Sequence, residues 1–318
     1  MAGDVIRISV DDVPARQRLA YLHDFVASQI AGLEFEPKDA GAFSFELLTS
    51  RLDGAMVLGR TNYNAVTGRR SRPLLADGRG DYILSIHDTD YEIESGGRSW
   101  KVRAGDVVIV DESHPFSFTL PGTRSTIVSL NRRRMAELAP RIARDVVHHM
   151  PADAPEAALL SGYVELVRTL PLQGGTGDIA GHIHALAARM LATQTGGDIP
   201  RESLGGARLA MVKADIDRWL VDPSLRIETL ARRHKVSARY IQQLFAREGG
   251  SFSAHVRDRR VDRALARLED VREAGRPIAD IAFEAGFGDL SSFNRAFRAR
   301  VGETPREFRA RSMRRAVH

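Results

Sequence analysis

The stretch IADIAFEAGFGDLSSFNRAFRARVG, residues 278–302, reads as a short helix, a tight turn and a second, capped helix. Phe293 and Phe297 share one face of the second helix, while Ser291, Ser292, Asn294 and Arg295 occupy its polar side. Gly286 supplies the tight turn, and Asp289 stands where an N-cap side chain accepts orphan backbone N–H groups. A weaker copy precedes it at 227–250, IETLARRHKVSARYIQQLFAREGG. An offset of 51 aligns Leu230 with Ile281 and Ala231 with Ala282. An offset of 52 aligns Ile241 with Phe293, Phe245 with Phe297 and Gly250 with Gly302, so one extra turn residue separates the copies. In the first copy Ser237 is the cap; Ile241, Leu244 and Phe245 face inward and Arg239, Gln242, Gln243 and Arg247 outward. Two helix-turn-helix units are therefore predicted, at about 225–248 and 277–301.

The spacer supports a joint role for the pair. Ser251 to Arg272 is 22 helix-compatible residues, within a connecting helix expected over 251–274. At 1.5 Å per residue it spans ~33 Å, close to the ~34 Å between successive major-groove faces on one side of B-DNA. The plainer alternative is two helix pairs that merely pack as an α-domain. Charge argues against it: residues 201–318 hold 25 Lys+Arg against 16 Asp+Glu, whereas the first 200 hold 21 against 25. A basic module joined to a mildly acidic one suits a nucleic-acid binder with a separate sensing or assembly domain, although charge on solvated helix faces is common.

Gly286-Phe287-Gly288-Asp289, Ser292-Phe293-Asn294-Arg295-Ala296-Phe297-Arg298 and Gly302-Glu303-Thr304-Pro305-Arg306-Glu307-Phe308-Arg309 resemble the signature of AraC/XylS-type transcription regulators. The resemblance covers about Gly206 to Arg311. It implies a bipartite domain that binds double-stranded promoter DNA and activates transcription beside RNA polymerase. Carried over by position, the base-reading candidates are Ala238, Arg239, Gln242 and Gln243, then Ser291, Ser292, Asn294 and Arg295. Ala238 is too short to read bases, which leaves the first helix to Arg239 and the glutamines; Arg pairs best with guanine and Gln with adenine.

The 318 residues fit about two domains, and a hydrophobic fraction of 43% is enough for real cores. No apolar run is long enough to span a membrane, and Met1 to Val10 lacks a basic start with an apolar block, so no signal peptide is expected. The absence of cysteine suits the reducing cytoplasm expected for this chain, and removes disulfides, thiolate metal sites and cysteine nucleophiles. It also excludes a DNA-repair methyltransferase fused to such a DNA-binding domain. Thr195 to Pro200 reads as a linker, giving an N-terminal domain at 1–195, a linker at 196–206 and a DNA-binding domain at 207–318.

Ahead of the linker, Pro14 to Ile30 reads as an amphipathic helix. Short strand-like runs fill 43–130, among them Tyr82–Ile86, Tyr91–Glu94, Trp100–Arg103, Val107–Val110 and Phe116–Phe118; residues 132–195 read as helical. Many short strands argue for a sandwich or barrel. Similarity to the family's effector domains, with the Gly105-Asp106 turn, implies a cupin-like β-barrel that binds a small organic effector and helps form a homodimer. The fold expected is thus α+β: a β-barrel with flanking helices, then an all-α tandem helix-turn-helix domain. Ile179, Ile183, Leu186 and Met190 form an apolar stripe that serves equally as packing on the barrel or as a dimer seam.

Alternate strand residues face a barrel interior, so either Tyr82, Leu84 and Ile86 or Ile83, Ser85 and His87 point inward. Tyr82, Leu84, Trp100, His114 and Phe116 are taken as effector-binding candidates, each equally at home as core, with His114 open to a loop-anchoring role. Arg60, Arg69, Arg70 and Arg72 suit a carboxylate ligand but are more simply solvated loop charge. The enzymatic alternative is a cupin-type metalloenzyme. It lacks its His-x-His pair here, since Asp88 and Thr89 follow His87, leaving only Glu92 and His114. His148-His149 and His182-x-His184 fall in helical segments that chelate poorly, and Gly174-Gly175-Thr176-Gly177 lacks the lysine of a phosphate-binding loop. No cofactor, metal or catalytic residue is expected; a constitutive or partner-controlled DNA-binding protein is the other alternative.

Overall fold

The computed structural model describes residues 5–53, 55–140, 145–169, 176–194 and 205–316. The chain divides into two compact units, residues 1–207 and 208–318. The expected linker lies outside the described residues, except that positions 205 and 206 open a helix.

The first unit contains β1 (Val5–Ser9), α1 (Arg18–Gln29), β2 (Glu34–Pro37), β3 (Phe45–Leu52), β4 (Met56–Arg70), β5 (Tyr82–His87), β6 (Tyr91–Ser95), β7 (Arg98–Val102), β8 (Val107–Asp111), β9 (Phe116–Leu130), α2 (Arg132–Leu138), β10 (Val147–Met150), α3 (Pro155–Thr169) and α4 (Thr176–Gln194). The strands pair antiparallel in the order β1-β3-β4-β9-β5-β8-β10, with β2 added to β4 and the β6–β7 hairpin added to β9. The pairing never returns to its start. The expected closed barrel is therefore corrected to an open sheet among the described residues.

Two 15-residue strands organise that sheet. β9 pairs with β4 from 116 to 128 along one edge, and with β6 at 117–119 and β5 at 125–130 along the other. Its inward side chains are Phe116, Phe118 and Leu120 in the first half, but Ser125 and Ile127 in the second. The parity changes across Pro121 and Gly122, whose φ of +117° only glycine adopts cheaply. The sheet folds over a core in which Phe45, Leu47, Val66, Ile93 and Leu120 meet Leu22 and Val26 of α1.

The stripe on α4 is spent inside its own unit: Ile183, Leu186 and Met190 are buried within the single chain. The packing alternative accounts for these three side chains. His184 is held structurally, its Nε2 accepting from Asn131 N (3.0 Å) and its Nδ1 donating to Ala180 O (2.8 Å). His148 and His149 lie on β10 rather than a helix, and His149 meets Asp106 at 2.7 Å. In the Gly105-Asp106 turn, the Asp106 carboxylate also accepts from Arg103 N and Ala152 N.

The second unit is helical: α5 (Gly205–Arg218), α6 (Ile227–Arg233), α7 (Ala238–Arg247), α8 (Phe252–Glu269), α9 (Ile278–Glu284), α10 (Leu290–Val301) and α11 (Pro305–Ala316). Two cores share α8. Phe252 and Val256 of its first half pack with α5, α6 and α7, while Val261, Ala264 and Leu268 of its second half pack with α9, α10 and Phe308 of α11. The connecting helix is shorter than expected. It stops at Glu269 because Asp270 leaves helical geometry (ψ 114°), and the Asp270 carboxylate then caps a separate turn at Arg272 N. Its 18 residues span ~27 Å instead of ~33 Å.

Candidate nucleic-acid interface and ligand cavity

Each helix pair in the second unit is built by the same local contacts. Val236 N donates to Ala231 O (2.9 Å) and Phe287 N to Ala282 O (3.1 Å), closing the turn on the buried small residue. Ser237 Oγ then accepts from Tyr240 N (3.1 Å), and Asp289 Oδ1 from Ser292 N (2.7 Å). The offset is still 51 at Phe287 and has become 52 at Asp289, so the extra residue is Gly288. Lys235 (φ 52°) and Gly286 (φ 98°) occupy the same left-handed position in the two turns. At the helix ends the positive φ falls on Gly249 (74°) and Gly302 (86°), so Gly249 rather than Gly250 matches Gly302 in conformation. Gly250 N instead donates to Phe245 O, and Gly249 N to Ala246 O, closing α7 with a Schellman motif.

With Ile241, Leu244 and Phe245 buried on α7, Arg239, Gln242 and Gln243 stand exposed. On α10, Phe293 and Phe297 are buried and Ser291, Asn294 and Arg295 exposed. Ser292 is half-buried at the cap, its hydroxyl 3.5 Å from Arg295 Nη2. Ala238 is half-buried against the first core. Many arginines elsewhere in the unit are matched by acids: Arg233 with Asp215, Arg259 with Asp217, Arg300 with Asp262, Arg311 with Glu303, and both Arg267 and Arg276 with Glu284. Among the described residues no acid pairs with Arg239 or Arg295. The two capped helices therefore present hydrogen-bond donors and the Arg239 and Arg295 guanidinium groups to solvent, the requirement for contacting phosphates and base edges.

The sheet unit holds a partly open cavity of about 110 Å³. Its wall on β5 is Ile83, Ser85 and His87, one of the two alternatives that strand alternation allows. Of the five expected effector contacts, Phe116 lines this cavity. Tyr82 and Leu84 point to the opposite face of β5, where Leu58, Val128, Leu84 and Ile109 form a buried cross-strand row. Trp100 packs at the edge of the core, beneath the Arg98 guanidinium (4.9 Å), and His114 is exposed beside Asp111.

The polar wall groups are ones that sequence reading did not single out for ligand contact. Tyr63 bonds to Ser125 and Thr61, and burial drives its hydroxyl far above the ordinary tyrosine value. Thr61 Oγ1 and Ser125 Oγ lie 2.5 Å apart. The His87 ring lies 4.4 Å from that of Tyr91; burial pushes its pKa down to about 4, and Nδ1 has no partner. Glu112 is 2% exposed, burial raises its pKa to about 8, and its Oε1 has no partner. A glutamate two residues past the apolar run Val107–Val110, in register with Val108 and Val110, was the available signal.

Arg70 is not a loop charge. Its guanidinium is fully buried and donates from all three nitrogens: Nε to Glu112 O (2.6 Å), Nη1 to Gly32 O (2.8 Å) and Asp77 Oδ2 (3.0 Å), Nη2 to Asp77 Oδ1 (2.8 Å) and Arg79 O (2.8 Å). All five N–H groups are committed, leaving none for a ligand. Glu92 accepts from Ser99, so His87, Glu92 and His114 stand apart; no group of three metal-ligating side chains occurs among the described residues. No helix among them is long and apolar enough to cross a membrane.

Comparison with known proteins agrees with this division. The family profile of a helix-turn-helix domain matches residues 230–311, and that of the AraC-binding-like domain matches residues 22–194. The chain is 30% identical over 240 residues to the transcriptional activator RhrA of Rhizobium meliloti (strain 1021), covering 74% of this chain and 76% of RhrA. It is 26% identical over 243 residues to the transcriptional activator NphR of a Rhodococcus species, covering 73% and 70%. The AraC-like transcriptional activator CuxR shares the fold, with a TM-score of 0.51 and 17% identity over 82% of this chain and 95% of CuxR. Two capped helix-turn-helix units, C-terminal in sequence to an AraC-binding-like sheet domain, make this chain a member of the AraC family of DNA-binding transcription regulators.

Proposed function

We propose that the protein is an effector-responsive transcription activator whose α7 and α10 enter two adjacent major grooves of promoter DNA. The observation that carries the reading is the pair of capped helices on one shared α8, each with its apolar side buried and its polar candidates, Arg239, Gln242 and Gln243 on one and Ser291, Asn294 and Arg295 on the other, exposed. Arg239, Gln242 and Gln243 read bases from the first helix, and Ser291, Asn294 and Arg295 from the second, with Ser292 at its cap. The named relatives RhrA and NphR are transcriptional activators, which supports activation beside RNA polymerase for this chain too. The sheet unit is the sensing half, its cavity receiving a small organic effector, and a homodimer is the working assembly. Sites selected from random DNA by the full-length protein, then footprinted, test the reading. Two protected major-groove patches about one helical turn apart are expected. A single patch indifferent to Arg295→Ala would refute the bipartite reading.

A further inference from the structure

We propose that the cavity of the sheet unit takes a small monoamine, an ammonium group on a compact apolar body, with Glu112 as its counter-charge. This rests on the reading of that unit as the sensing half, and it names the class of effector.

The wall is carbon almost throughout, with Phe35, Phe45, Phe116 and Phe118 around the space. Such a surface suits a hydrocarbon body, and about 110 Å³ suits a small one, since a cavity of ~150 Å³ takes benzene. Sign of charge decides the polar end. Among the described residues Glu112 is the one carboxylic acid lining the cavity, and no lysine or arginine lines it. Arg70, which touches the Glu112 backbone, has spent every donor on carbonyls and on Asp77. A carboxylate ligand would find no cation, and would face a second buried acid. An ammonium finds a buried acceptor, Glu112 Oε1, that nothing among the described residues satisfies. Leaving such a group bare opposes folding, so its partner is sought outside the chain.

Binding has a defined proton balance. Burial holds Glu112 protonated near neutrality. The ligand enters as its ammonium, Glu112 gives its proton to solvent, and the ammonium–carboxylate pair remains. Other groups around the cavity do not share this titration. His87 is pushed down to about 4, and Tyr63 and Tyr91 are raised far above neutrality. The charges surrounding Glu112 are Arg70, Arg79, Asp77 and Asp81, and His23 on α1 accepts a hydrogen bond from Phe35 N.

Isothermal titration of the full-length protein with ethylamine, propylamine and isobutylamine, each beside its alcohol and carboxylic acid counterpart, tests the assignment. At least one amine is expected to bind ten times more tightly than both counterparts. Repeating it at pH 7 in buffers of different ionisation heat should show close to one proton released, falling towards zero at pH 9. Glu112→Gln should lower amine affinity at least tenfold and leave alcohol binding unchanged. No amine preference, no proton release, or full amine affinity in a folded Glu112→Gln variant overturns the proposal. Tighter binding of an alcohol or acid overturns it while leaving the sensing role standing. An amine that binds through Glu112 but leaves affinity for the selected DNA site unchanged supports the assignment and refutes the effector reading.

Discussion

Gly286→Ala isolates what the second helix-turn-helix demands of its turn. A β-carbon at 286 would lie 2.4 Å from the Leu220 carbonyl oxygen, 2.8 Å from Arg260 Nε and 3.2 Å from Val221 Cα. The carbonyl is not free to retreat, because Arg260 Nε donates to it (3.0 Å) while Arg260 Nη2 holds Asp222 O (2.7 Å). Two costs add. The left-handed backbone (φ 98°) costs a side-chain-bearing residue ~1–2 kcal/mol, and forced overpacking costs ~1–3 kcal/mol more. Gly302→Ala supplies the control, since its φ is 86° and nothing lies within 4 Å of the added methyl. Lys235, at φ 52° in the first turn, already shows that the backbone conformation alone tolerates a side chain. Urea unfolding followed by Trp219 fluorescence in a Trp100→Phe background is the assay, because the chain has two tryptophans and Trp219 adjoins Leu220. Gly286→Ala should cost more than Gly302→Ala by ~1–3 kcal/mol. Equal losses would refute the close-approach argument.

Further outcomes follow from individual side chains. Arg295→Ala should weaken binding to a selected site by ~1–3 kcal/mol and relax its sequence preference, with less change in non-specific binding; competition gel shifts measure both. Arg70→Met leaves Asp77 and three carbonyls without their buried donor and should cost the sheet unit about 3 kcal/mol, read from Trp100 fluorescence in a Trp219→Phe background. The stability of that unit should also depend on pH through two groups on the cavity wall, His87 and Glu112. His87 (about 4) takes its proton only when unfolded, so alone it would raise stability as pH rises from 4 to its ordinary value of 6.5. Glu112 (about 8) holds its proton only when folded, so it lowers stability as pH rises from its ordinary value of 4.5 to 8. The slopes oppose one another up to pH 6.5, and between 6.5 and 8 stability should fall by up to ~1.4 kcal/mol per pH unit. Glu112→Gln should flatten that fall; a slope that survives the substitution assigns it to another group.

The helix-turn-helix pair was legible because its determinants are local. A cap, a small buried residue and two aromatic side chains four apart lie within one continuous stretch, and Ser237, Ala231 and their partners Asp289 and Ala282 act as their spacing predicts. The connecting helix was overestimated because helix-compatible residues run on past Asp270, whose cap to Arg272 N ends it. Sheet topology resisted for the opposite reason. Phe116–Phe118 looked like a short strand, yet β9 continues to Leu130 through Pro121 and Gly122, where its inward parity reverses. β5 is covered on both faces, with Leu84 buried on one and His87 on the other, so alternation could not choose the cavity side.

Arg70 and Glu112 show why charged residues in such a sheet cannot be placed by composition. Arg70 ends β4 and Glu112 follows β8, places where solvated charge is the ordinary expectation, and both are buried. Their burial has opposite meanings. Arg70 binds Gly32, Asp77, Arg79 and the Glu112 backbone into one knot, so every donor is explained by folding. Among the described residues the Glu112 side chain has Oε1 unpartnered in a cavity it helps to line, so folding gains nothing from burying this polar group there. Local rules that a sequence obeys reveal its scaffold. Where the scaffold is complete and a buried group still lacks a partner, the reason lies in what the protein binds.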